Sequence, residues 1–374
     1  MKIGILTLPL HTNYGGILQA YALQTVVERM GHFAEILNCS QIKKIPAKWP
    51  LVFGKRIVKK YILGRKIVVF SEKLHNKFYP ELSKNTQRFI SSRIRQRMLS
   101  SLSEINENDY DVIIVGSDQI WNPDCFRPMW GCSMDMAFLK FAETWNVKRI
   151  AYAASFGKNM WSFSQTETVL CKELVKKFSN LSVRENDGVE LCRRYLDAWA
   201  EMVPDPTLLL SRNDYINLFR MTEVKKSEGS LLCYILDDSV EKDGLINVIA
   251  NEKKLLPFRV NSKIEDECAP IAERVQPPVE QWLRGFYDAE FVVTDSFHAC
   301  VFAIIFKKPF IVYGNLSRGL SRFKSLLAQF EIEDNLITSL DDYSRGKGGL
   351  VASNDVVENF RKKGFSFLER ELNC

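Results

Sequence analysis

The sequence predicts an α/β protein built from two Rossmann-like, doubly wound domains. Short apolar β-rich runs recur along it, helical patterns separate them, and a proline-flanked break falls past its middle. At 374 residues the chain exceeds one ordinary core and suits two. The expected strands are Ile3–Leu8, Asp111–Val115, Ile150–Ser155, Asn180–Val183, Leu231–Leu236, Phe291–Thr294 and Phe310–Tyr313. Continuous apolar runs of this length suit parallel strands covered on both faces. Helical spacing marks Ile17–Met30, which Gly31 ends, and the nearly all-apolar Ala299–Phe306. Alternation of this kind implies βαβ units. Val203-Pro204-Asp205-Pro206 suits an extended crossover, because its prolines break any helix. The expected domains are therefore residues 1–203, which include a basic segment at 41–71, and residues 204–350. Residues 351–374 carry helical spacing at Val356–Leu372 and could pack back on the first domain.

Composition narrows the function classes. Hydrophobic residues at 46% and charged residues at 26% match a soluble globular chain and argue against extensive disorder. A net charge of +6 over this length is mild and gives no case for nucleic acid. Nowhere do 18 apolar residues run together, so no membrane-spanning helix is expected. Met1–Leu10 lacks a basic leader and reads as a buried strand, not a signal peptide, which points to the cytoplasm. Nine cysteines, an odd number without a Cys-x-x-Cys pair, fit reduced thiols better than disulfides or zinc. The four histidines show no metal-ligand spacing, so no metal is expected. Segment 41–71 holds nine Lys or Arg and no acid, interleaved with Trp49, Leu51, Phe53, Tyr61 and Ile62. It reads either as a surface for an anionic membrane or as a solvated basic helix with an ordinary packed face.

Four constellations could carry chemistry. Asn13-Tyr14-Gly15-Gly16 follows the first strand, so a glycine turn and a helix N-terminus form a candidate anion nest; a tight turn is the alternative. The pattern is not a dinucleotide fingerprint, and no nicotinamide cofactor is supported. Asp118, Gln119 and Asn122 follow the strand Asp111–Val115. Asp118 is a candidate for orienting or deprotonating a sugar hydroxyl, or else a helix cap. Arg184, after the strand Asn180–Val183, is a candidate clamp for carboxylate or phosphate, or a surface partner of Glu185 or Asp187. Thr294-Asp295-Ser296-Phe297-His298 joins a buried strand to an apolar helix. His298 thus lies at or near a helix N-terminus, where a bound anion is favoured. Arg318 and Arg322 sit in a basic loop entering a helix and could complete an anion pocket.

These motifs, taken in order, resemble the polysaccharide pyruvyl transferase family. The carriers are Lys2–Thr7, Asn13–Gly16, Asp111–Asn122, Tyr152–Gly157, Ser182–Glu185, Asp205–Thr207 and Thr294–His298. The resemblance implies two Rossmann-like domains facing a cleft, as in GT-B glycosyltransferases. It implies an acceptor side in the first domain and a donor-phosphate side in the second. Phosphoenolpyruvate would be the donor, with no separate cofactor. A sugar in a bacterial surface polysaccharide or its lipid-linked precursor would receive a pyruvate ketal. His298 and Asp118 would be catalytic. Arg184, Ser296, His298, Arg318 and Arg322 would hold the donor. Asn13, Tyr14, Gly15, Gly16, Gln119 and Asn122 would serve the acceptor or an anion. Family members commonly carry Arg where this chain has Ser296, so Arg318 or Arg322 would supply that charge. The enzyme would work in the cytoplasm, with segment 41–71 on the inner face of the cell membrane. The rival expectation is a sugar-nucleotide glycosyltransferase of the same architecture.

Overall fold

The computed structural model describes the whole chain except residues 44, 47, 66, 315–319 and 374. It is an α/β fold of two parallel sheets with helices packed on them, as expected. The first sheet contains β1 (Lys2–Leu6), β2 (Phe33–Cys39), β3 (Gln96–Leu99), β4 (Val112–Val115), β5 (Lys148–Ala154), β6 (Asn180–Val183) and β7 (Glu201–Met202). The second contains β8 (Leu231–Tyr234), β9 (Pro257–Phe258), β10 (Phe291–Thr294), β11 (Phe310–Tyr313) and β12 (Leu336–Ile337). Their orders are β3-β2-β1-β4-β5-β6-β7 and β12-β11-β10-β8-β9. The central strands β1, β4, β8 and β10 read Ile, Leu and Val because both faces are covered. Strand β2 and the edge strands β3, β7, β9 and β12, absent from the sequence expectation, are short or carry polar residues such as Glu35, Gln96 and Arg97.

Each order reverses once. In the first sheet the chain leaves β1 for β2 and later returns to β4 on the other side. In the second it leaves β8 for β9 and returns to β10. Such reversals open crevices at strand C-terminal ends, where open α/β sheets bind ligands.

One apolar core runs through both halves. Tyr14 of the helix Tyr14–Arg29 stacks on Trp282 at 5.3 Å, and Tyr215 meets Phe302 edge-on at 4.9 Å. The last helix, Asn354–Leu372, crosses back to the first sheet. Its Phe367 ring lies 5.9 Å from Tyr152, Lys148 Nζ donates to Glu371 O at 2.5 Å, and Arg361 Nε donates to Leu208 O at 2.7 Å. A Cβ on Gly364 would come within 2.6 Å of the Tyr152 hydroxyl, so glycine is what lets this helix approach.

Two helix starts differ from expectation. The first helix begins at Tyr14 and the apolar one at Phe297. Gly15 and Gly16 are therefore in a first helical turn, not in a turn before it, and His298 is inside its helix. Tertiary contacts at both starts favour helix where local propensity is indifferent.

Candidate active site

The reversal between β1 and β4 brings together the loops after β1, β4, β5 and β6. Asn13 caps the helix Tyr14–Arg29, its Oδ1 accepting from Gly15 N at 3.0 Å and Gly16 N at 3.3 Å. This corrects the anion-nest expectation: those N–H groups are taken by the chain's own carboxamide. Tyr14 is also repositioned. Its ring is buried in the core and its hydroxyl donates to Pro277 O at 2.7 Å, so its side chain joins the two halves. Gly15 has a different purpose, since a Cβ there would lie 2.1 Å from His298 Nδ1. The two helices thus bring their N-terminal turns together, with the imidazole of one against the glycine of the other.

Around this junction lies a buried network. Arg184 Nη1 donates to Asp205 Oδ2 at 2.7 Å and Nε to Glu185 Oε1 at 3.3 Å. Asp118 Oδ1 stands 3.9 Å from Arg184 Nη2, and Asp118 Oδ2 lies 3.6 Å from where a Gly16 Cβ would be. His298 Nε2 faces the same Asp205 Oδ2 at 3.6 Å. Asp205 Oδ1 is held by Thr207 N at 3.0 Å and Thr207 Oγ1 at 2.7 Å. Ser155 Oγ donates to Glu185 at 2.6 Å. Phe297 puts its ring 4.2 Å from the Arg184 guanidinium and 6.0 Å from that of Arg322. The Arg184 side chain is 2% exposed and that of Asp205 1%, so the surface-pair alternative for Arg184 is excluded.

The electrostatics follow from burial and pairing. Burial alone would lower the Arg184 value, but Glu185, Asp205 and Asp118 outweigh it and hold the guanidinium above its ordinary value. Burial likewise opposes ionisation of Asp205, yet His298, Arg184 and Thr207 hold its carboxyl well below the usual range. Arg322, in the first turn of the helix Ser321–Gln329, is pressed below its ordinary value by burial and then by Arg184. Among the described residues, Arg184 Nη2 and His298 Nε2 are buried and have no hydrogen-bond partner. Buried donors are normally satisfied, and each of these stands beside a carboxylate beyond hydrogen-bond length, Arg184 Nη2 at 3.9 Å from Asp118 Oδ1 and His298 Nε2 at 3.6 Å from Asp205 Oδ2.

The other expected residues lie around this network. Asn122 caps the helix Pro123–Trp130 through Oδ1, and its Nδ2 donates to Gln119 Oε1 at 2.7 Å. Ser296 caps the helix Phe297–Ile305 without a side-chain hydrogen bond, and its N–H goes to Thr294 Oγ1 at 3.0 Å. Arg318 lies outside the described residues. Sequence reasoning missed Asp205, Glu185 and Phe297 as site residues. The signal for Asp205 was present: an acid boxed by Pro204 and Pro206 and followed by Thr207 is a self-capping turn as well as a helix break. Among the described residues, no three His, Cys, Asp or Glu side chains stand where they could hold a metal ion.

Several solved structures match the chain over most of its length. The UDP-GlcNAc 2-epimerase of Neisseria meningitidis matches at 11% identity, over 99% of this chain and 92% of that one, with a TM-score of 0.48. The epimerase of the same name from Methanocaldococcus jannaschii matches at 13% identity, over 100% and 93%, with a TM-score of 0.43. MurG of Acinetobacter baumannii matches at 11% identity, over 99% and 92%, with a TM-score of 0.38. At such values the likeness bears on neither substrate nor chemistry. No curated protein matches the chain in sequence. The model of one family, polysaccharide pyruvyl transferase, matches residues 13–317. That span begins at the Asn13 cap and takes in Asp118, Arg184, Asp205 and His298, and the chain accordingly belongs to the polysaccharide pyruvyl transferase family.

Proposed function

We propose that this transferase moves the pyruvyl group of phosphoenolpyruvate onto two hydroxyls of a sugar, forming a ketal. The sugar belongs to a bacterial surface polysaccharide or its lipid-linked precursor. The observation that carries the reading is the pair of buried nitrogens, Arg184 Nη2 and His298 Nε2, that make no hydrogen bond among the described residues and lie beside two abutting helix N-termini. A small dianion or trianion suits donors of this kind and the positive ends of helices. Arg322, close to Arg184 and Phe297, adds a second guanidinium.

In this scheme His298 donates a proton to the methylene carbon of the donor while one sugar oxygen attacks the central carbon. Asp118, beside Gly16, takes the proton of that hydroxyl. The C–O bond to phosphate then breaks, the second hydroxyl closes the ketal, and its proton leaves with phosphate. Asp205 stays ionised and fixes both Arg184 and His298, so it is a positioning residue. The scheme calls for no metal and no cofactor.

The sugar-nucleotide alternative is less well served. The strand-end acid of the second sheet, Asp295, already accepts from Leu236 N at 2.7 Å, Asp237 N at 3.1 Å and Lys242 Nζ at 2.7 Å. It is therefore not free to grip a ribose. The test is a thermal-shift comparison of phosphoenolpyruvate with uridine and cytidine sugar nucleotides, followed by mass spectrometry of acceptor glycans. Stabilisation by phosphoenolpyruvate and a mass gain of one pyruvate ketal with phosphate release are expected. Stabilisation by a sugar nucleotide, with a glycosyl mass gain, would replace the reading.

A further inference from the structure

The described residues of segment 41–71 take no part in the network around Asp205. Its helix Trp49–Ile57 continues as the wider turn Val58–Ile62, and neither contains a buried residue. One face is anchored. Phe53 meets Phe70 at 4.9 Å, and Arg56 grips Glu72 through two hydrogen bonds of 2.7 and 2.8 Å. These bonds to Arg56 hold the Glu72 carboxyl down to about 2, so the anchor stays ionised at any physiological pH. The remaining surface is open and apolar: Leu51 is 66% exposed, Tyr61 73% and Ile62 74%, with Trp49 and Leu63 beside them. Lys55, Lys59 and Lys60 are exposed among them, and the segment contains no acid.

Side chains that large and apolar, left in water on one arm, call for a covering surface. Charge decides which. A second copy of the arm would bring like charges together. Nucleic acid would match the lysines but would not bury Leu51, Ile57, Ile62 and Leu63. A bilayer with anionic headgroups satisfies both chemistries, the aliphatic groups entering the interface and the lysines meeting headgroups.

We propose that residues 48–65 form a docking arm that seats on an anionic lipid bilayer beside the mouth of the active site. The position follows from the arm's mounting. Its anchor Glu72 lies in the first turn of the helix Ser71–Leu82, and Leu82 O accepts from Gln276 N at 2.9 Å. Gln276 Nε2 donates in turn to Thr12 O at 3.1 Å, one residue before the Asn13 cap. His75 of the same helix reaches Gln41 O at 3.3 Å. Docking therefore holds the loop after β1 near the membrane. That the acceptor is lipid-borne rests on the pyruvyl-transfer reading; the docking itself does not.

The experiment is flotation of the full chain with vesicles of phosphatidylcholine alone or equimolar with phosphatidylglycerol. Binding to the anionic vesicles only, weakened by salt, is expected, with a blue shift of Trp49 emission absent from Trp49→Phe. The triple variants Lys55→Glu/Lys59→Glu/Lys60→Glu and Leu51→Ser/Ile62→Ser/Leu63→Ser should each partition about tenfold or more weakly. No flotation of the wild type at low salt overturns the proposal. Equal flotation of the variants overturns it too, as does DNA binding or self-association without flotation. Vesicle binding needs neither donor nor acceptor. Retained flotation without pyruvyl transfer thus breaks the functional reading alone, and transfer to a soluble acceptor without flotation breaks the docking alone.

Discussion

The two strand-order reversals have the same geometry and opposite contents. At β1/β4 the crevice holds Asp118 and, from neighbouring loops, Arg184 and Asp205, and two of its nitrogens make no hydrogen bond among the described residues. At β8/β10 the crevice is closed by Asp295 and Lys242, 5% exposed or less, whose bonds stitch the loop after β8 in place. Topology supplies a crevice in each sheet, and side-chain pairing decides which one remains available. The second half then acts through the next element, the helix that carries Phe297 and His298 into the first crevice.

The largest expected effect comes from the carboxylate shared by both halves. Asp205→Asn leaves Arg184 buried without the carboxylate that makes its shortest hydrogen bond and should cost about 3–5 kcal/mol of stability. Pyruvyl transfer should fall by about a hundredfold or more. Denaturant titration and a phosphate-release assay measure the two; wild-type values for both would remove Asp205 from its central place. Gly15→Ala should come next. Its methyl would meet His298 Nδ1, so transfer should drop by about a hundredfold, with a stability loss of about 1–3 kcal/mol. Unchanged kinetics would mean that the abutting helix starts do not position the imidazole.

Lys242→Met tests the closed crevice. It strands the Asp295 carboxylate and should cost about 3 kcal/mol or more in unfolding, with donor affinity under folding conditions unchanged. A lost thermal shift with phosphoenolpyruvate would show instead that the second crevice carries ligand. The last test concerns His11, in the loop after β1. Burial lowers it from 6.5 to about 4 against the opposing pull of Asp118, so the folded form holds fewer protons than the unfolded chain between those values. Stability should therefore fall as pH drops from about 6.5 towards 4, in proportion to the difference in bound protons. His11→Asn should flatten that part of the urea-midpoint profile. The depressed Asp205 acts lower, its stabilisation being present above the ordinary carboxylate range and lost on further acidification.

Much of this was legible from residue order. Asn180–Val183, Phe291–Thr294 and Phe310–Tyr313 are strands with the bounds expected, because runs covered on both faces leave no other reading. Strand β2 and the edge strands were not legible, since half-exposed residues such as Glu35 and Arg97 interrupt any continuous apolar signature. His298, Asp118 and Arg184 were identifiable as polar residues directly after buried strands. Their partners were not. Arg184 pairs with Asp205 across 21 positions and His298 reaches the same oxygen from another sheet, which local sequence does not encode. Gly15-Gly16 looks like a flexible turn until His298 is placed against it. The sequence by itself thus determined the two parallel sheets, the polar strand ends and the acid-free basic arm, all of which depend on local pattern. Only the tertiary structure decided which helix starts meet, which crevice is filled and which donors stay unpartnered, because those depend on the approach of segments distant in the chain.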